Sequence, residues 1–164
     1  MRRYSEELRI INEAIDNAPV DLKGLANSLG VEVRHVYLDD DISGMIEHKN
    51  ERYVISVNAL DACYRQRFTI AHELGHFMNH RHLMQDGIDD NRAYRSTSSG
   101  RYHNTEIGPA EETQANRFAA ALLMPAKAVR RAYNEGLKDV NELARKFQVS
   151  KQAMRIRLES LGLA

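Results

Sequence analysis

The chain has 164 residues, 43% hydrophobic and 28% charged, with 23 basic and 23 acidic side chains, a length that holds one domain, or one domain with a small satellite. This composition excludes wholesale disorder, the balanced charge excludes a global pull toward nucleic acid or membrane, and the single cysteine, Cys63, excludes a disulfide framework or a cysteine-rich zinc cage. The opening segment MRRYSEELRIINEAI is charged and amphipathic, and no stretch approaches the about eighteen apolar residues of a membrane span, so a cytoplasmic protein is expected. Cys63 itself is expected to be a small buried apolar residue.

In chain order, Leu8, Ile11, Ala14 and Ile15 at helical spacing predict a helix over residues 5–18, with Pro19 as its stop. The segment VDLKGLANSLG predicts a second, short helix, with Leu22, Leu25, Ala26 and Leu29 on one side and Gly30 ending it in a left-handed turn. The period then changes: Val31, Val33, Val36 and Leu38 mark a strand, and MIEHKNERYVISVN reads as two more joined at Lys49-Asn50-Glu51. A small antiparallel sheet is therefore expected ahead of a helix running from about Ala59 to His80. Residues 83–108 are polar and carry no convincing period, which predicts a functional lid or a disordered loop. The run PAEETQANRFAAALLM predicts a strong helix that starts at Pro109 and stops at Pro125. Short helices follow, among them VNELARKFQ and KQAMRIRLESLG.

The chemistry concentrates in FTIAHELGHFMNH. On a helix, residues i and i+4 lie about 40° apart, so His72 and His76 project to one point and form a two-pronged metal clamp. Glu73 lies about 100° from His72, within reach of a metal-bound water but not aimed at the metal. That is the H-E-x-x-H pattern of zinc peptidases, with the glutamate as general base. Two histidines sharing a helix face are also met without any metal. Here, however, Phe68, Ile70, Ala71, Leu74 and Phe77 surround them, and buried imidazoles need partners. Gly75 costs about 1 kcal/mol against alanine inside a helix, which implies that another backbone comes close there.

Catalytic zinc takes three protein ligands and keeps one position open. Glu112, Asn116, Ala119 and Leu123 share one row of the second strong helix, so a carboxylate sits on an otherwise apolar row, a costly placement unless it meets a positive charge. Glu112 is the expected third ligand, and Asn116, one turn on, is placed to hold the outer nitrogen of a ligand histidine. Glu111, in line with Ala115, Phe118 and Leu122, is the rival, and both glutamates also suit the dipole of the helix start. His80 lies a turn too far along a straight helix to join the ligands and is expected to be exposed. Tyr94, Tyr102 and His103 are candidate donors to a developing oxyanion if the polar loop closes.

These residues carry a resemblance. RFTIAHELGH followed by EETQANRFAAALLMP resembles the ImmA/IrrE family of metallopeptidases, and DLKGLANSLGVEV, ISGMI, YVISVN and LARKFQVSKQAMRIRLESLGL extend the likeness over the chain from about Val20 onward. It implies one zinc ion on His72, His76 and Glu112, with Glu73 as base, and a zincin-like α+β fold: a small antiparallel or mixed sheet packed on the H-E-x-x-H helix and on a second glutamate-bearing helix. It further implies a protease that cuts a helix-turn-helix transcriptional repressor, releasing genes under stress or in a mobile element, in a short form without the further C-terminal domain of longer members. A peptidase domain over residues 1–126 and a helix-turn-helix-like extension over residues 127–164 are expected.

In that extension Leu143, Ala144, Val149, Ala153, Met154 and Leu158 occupy the apolar positions of a helix-turn-helix, with Ser150 as the cap of the second helix. Gln148 stands at the turn position that favours glycine. From Lys127 onward nine basic residues stand against four acidic ones, which suits DNA or a docked protein alike. The competing function is a DNA-binding regulator or antitoxin-like module whose zinc is structural or vestigial; since structural zinc closes with a fourth ligand, the three-ligand set favours the enzyme.

Overall fold

The computed structural model describes residues 2–84, the backbone of residues 93–95, and residues 107–164. The elements are α1 (Arg2–Ala14), α2 (Leu22–Ser28), β1 (Val31–Val36), β2 (Gly44–Lys49), β3 (Arg52–Asn58), α3 (Cys63–Asn79), a 3-10 turn (Arg81–Leu83), β4 (Ala93–Arg95), α4 (Pro109–Leu123), α5 (Ala126–Asn134), α6 (Val140–Phe147) and α7 (Lys151–Ser160). No helix among the described residues is long and apolar enough to cross a membrane.

The sheet is mixed, in the order β1-β3-β2-β4. β2 and β3 form the expected hairpin, Lys49 pairing with Arg52 across a two-residue turn in which Asn50 and Glu51 both adopt positive φ, the backbone that matches strand twist. Of the two expected arrangements, antiparallel or mixed, the mixed one forms, because β1 pairs in parallel with β3 from Val31↔Tyr53 to Val36↔Asn58. The reason is the crossing of residues 37–43 over the end of β3. Buried Asn58 donates its side-chain amide to the carbonyls of Leu38, Asp39 and Ile42 and so pins that crossing. β3 consequently runs between β1 and β2 and is buried from Val54 to Asn58, without the alternation of a half-exposed strand.

A short strand, β4, pairs antiparallel with β2, Ile46 opposite Tyr94, inside the stretch expected to be a loop. Residues 85–92 and 96–106 of that stretch lie outside the described residues.

α3 crosses the sheet closely at Gly44, where an added Cβ would meet Thr69 Cγ2 at 2.4 Å. Its other close approach is to α4: a Cβ on Gly75 would lie 3.1 Å from Ala115 Cα. This is the packing reason anticipated for a glycine in mid-helix. Phe77, Leu74, Ile46, Ile55, Leu123 and Met124 lie in an apolar core whose cluster also includes Leu143, Phe147, Met154 and Leu158. The Arg157 guanidinium donates from Nε to the carbonyl of Met124 at 2.9 Å, tying α7 to the end of α4. Gln148 adopts the left-handed conformation between α6 and α7 that glycine would take more easily, with φ 55° and ψ 49°.

α1 starts and ends earlier than expected, and Cys63 is exposed rather than buried. It is the first residue of α3 and faces solvent, because the apolar face of that helix begins further along it.

Candidate metal centre

Before Thr69 the residues of α3 are exposed or half-buried; from Thr69 to Met78 every residue is buried, polar ones included. His72, Glu73 and His76 are exposed by only 3%, 0% and 1%. Burial this complete is tolerable only if each polar group meets a partner.

For the two histidines, partners come from α4. Glu112 sets one carboxylate oxygen 3.2 Å from His72 Nε2 and the other 3.1 Å from His76 Nε2. The two Nε2 atoms lie 3.1 Å apart, and one donor atom from each of the three residues falls within 4.8 Å of the others. Behind this cluster, His72 Nδ1 lies 2.7 Å from the Asn116 amide oxygen. An oxygen there accepts, so Nδ1 carries the ring hydrogen of neutral His72 and Nε2 turns a bare lone pair into the cluster.

Two imidazole nitrogens and a carboxylate crowded together favour a shared positive charge. The three groups answer one another unequally. Burial acts against the His72 imidazolium, but the Glu112 hydrogen bond and the charges of Glu73 and Glu112 outweigh it and raise its pKa above the ordinary value. At His76 burial prevails, helped by the charges of His72 and His80, and the pKa falls. Burial also opposes ionisation of Glu112, yet the two histidines hold its carboxyl down at about 2. A divalent cation supplies that charge and matches three donors, so the residues fit a metal of the zinc class.

Glu111 lies outside the three-donor group: its carboxylate turns back to accept from the Gly108 backbone N–H at 3.0 Å and caps α4. Glu73 is next to the cluster, its charge acting on His72, but outside the three-donor group. The side chains of Tyr94, Tyr102 and His103 lie outside the described residues.

His80 is the site residue that sequence reasoning misplaced. It is 2% exposed, with Nδ1 2.9 Å from His76 Nδ1 and Nε2 2.7 Å from the Gln114 amide oxygen. The i+4 spacing from His76 was the available signal. A straight helix would have carried His80 past the site, but it is the C-cap of α3, with φ −126° and ψ 17°.

A donor set of two imidazoles and one carboxylate, carried by two packed helices of an α+β fold, is the kind that metallopeptidases use. The sequence makes that class specific: residues 26–159 match the family model Peptidase M78, described as the IrrE N-terminal-like domain, and the chain belongs to that family. Among solved structures, a Mycobacterium tuberculosis transcriptional regulator is similar with a TM-score of 0.65 at 21% identity, over 96% of this chain and 46% of that one. The chain thus spans about half the length of that relative, and the likeness is one of fold. No curated protein matches the sequence.

Proposed function

We propose that the protein is a zinc-dependent endopeptidase of zincin-like architecture that cleaves a DNA-binding transcriptional repressor, with one zinc ion on His72, His76 and Glu112. The observation that carries this reading is the convergence of both Nε2 atoms and the Glu112 carboxylate within hydrogen-bond distance of one another, with a second buried carboxylate beside them. Three protein donors leave a metal an open position, which suits water activation more than a closed structural site.

Bound there, zinc would supply a Lewis acid for a peptide carbonyl and a water acidified to a pKa of about 7. The chain's own residues do the rest. The Glu73 carboxylate takes the proton of the attacking water and passes it to the departing amine nitrogen, so that one water is consumed and one peptide bond breaks. Asn116 accepts from His72 Nδ1–H and keeps Nε2 turned inward, and Glu112 adds negative charge that strengthens metal binding.

In this reading residues 1–126 form the peptidase part, and residues 127–164 a helix-turn-helix-like extension that docks the substrate protein. The basic excess of that segment and the similarity in fold to a protein described as a transcriptional regulator support a regulator as the substrate. The test is to mix the protein and zinc with a helix-turn-helix repressor encoded beside it. Specific cleavage by wild type and none by Glu73→Gln with its zinc retained is the expected result; cleavage by Glu73→Gln at the wild-type rate contradicts the mechanism.

A further inference from the structure

The two proposed histidine ligands are held from behind in different ways. His72 meets the Asn116 amide oxygen directly, whereas His76 meets another histidine, and that histidine meets the Gln114 amide oxygen. We infer that His80 and Gln114 form a positioning relay that fixes the tautomer of His76 and thereby presents its Nε2 lone pair to the metal; the inference rests on His76 being a metal ligand.

The hydrogens follow in sequence. The amide oxygen of Gln114 accepts, so His80 Nε2 carries hydrogen and donates over 2.7 Å. Neutral His80 then has its lone pair at Nδ1. The 2.9 Å contact between the two Nδ1 atoms therefore requires His76 Nδ1–H to donate, which strips the hydrogen from His76 Nε2. If the relay is broken, His76 is free to carry hydrogen on Nε2, where it would block the metal. Both chains of hydrogen bonds terminate on α4, so the helix that supplies Glu112 also sets the tautomers of both imidazoles.

The relay is built to stay in place. The backbone N–H of His80 donates to the carbonyl of His76 at 2.7 Å. The next residue, Arg81, forms a two-pronged ion pair with buried Glu7 of α1 at 2.8 and 2.6 Å, and its guanidinium carbon stands 4.3 Å above the Phe77 ring. The turn that carries His80 is thus clamped from both the helix before it and the N-terminal helix.

The test is competition for zinc between a chromophoric chelator and the full chain as wild type, Gln114→Leu, Gln114→Glu and His80→Ala, with folding followed by circular dichroism. Loss of the relay is expected to weaken zinc about 10–100-fold in Gln114→Leu and His80→Ala. Gln114→Glu keeps an acceptor for His80 Nε2–H and is expected to match or exceed wild type. Wild-type affinity in Gln114→Leu overturns the relay, and so do equal losses in the Leu and Glu variants, which would make Gln114 a matter of shape alone. Should His80→Ala unfold, the Gln114 pair decides, since that side chain is exposed. A wild-type protein that binds no zinc would overturn the metallopeptidase reading as well, whereas full affinity in every variant overturns the relay alone.

Discussion

The α3–α4 pair and the α6–α7 pair treat polar groups in opposite ways. On α6 and α7 most polar side chains point to solvent, Arg157 with its bond to the Met124 carbonyl excepted; Leu143, Phe147, Met154 and Leu158 fill the inside, and Asp139 and Ser150 cap the helix starts through Glu142 N–H and Ala153 N–H. That is the cheapest way to bury a helix pair. On α3 and at its C-cap three histidines and a glutamate are buried beside Leu74 and Phe77, with α4 supplying the side chains that answer the histidines. A fold tolerates so much buried polarity where the groups act together, and the contrast separates the pair that carries the candidate metal cluster from the pair that does not.

The contrast breaks most sharply at Glu73. Glu73→Gln, which keeps the shape but cannot take a proton, is expected to lower peptide cleavage about 10²–10⁴-fold while the zinc content of the purified protein stays as in wild type. Next comes Asn116→Ala, which frees the His72 ring; zinc affinity in chelator competition is expected to fall about 10–100-fold. Gly75→Val attacks the seam between α3 and α4, where even a Cβ would meet Ala115 Cα at 3.1 Å; a loss of about 1–3 kcal/mol in urea denaturation is expected. On the other pair, Ser150→Ala removes a cap from α7 and is expected to cost about 1 kcal/mol by the same measurement. Smallest is the exposed double substitution Lys151→Glu with Arg155→Glu. Stability is expected within about 0.5 kcal/mol of wild type and cleavage of a short unstructured peptide unchanged, while cleavage of the intact repressor slows if this surface docks it.

The same contrast explains what could be read without the structure. That His72, His76, Glu112 and Asn116 come together was legible because helix periodicity fixes the direction of a side chain, and a carboxylate on an apolar row implies a positive partner. Glu111 could be set aside only once its carboxylate was seen on the Gly108 N–H. The placement of β1 was not legible, because alternation announces a strand but not its neighbour, and the crossing that settles it depends on one buried side chain, Asn58. β4 was missed because three residues in a polar stretch carry too little pattern. His80 was missed because the reading extrapolated a straight helix past the residue at which α3 ends.

The most direct test of the central claim is calorimetric titration of the metal-free protein with zinc, comparing wild type with Glu112→Ala, Glu111→Ala and Glu73→Gln. One zinc per chain in wild type, retained in Glu111→Ala and Glu73→Gln and lost in Glu112→Ala, is the predicted result; absence of zinc binding by wild type, or binding that survives Glu112→Ala undiminished, would contradict it.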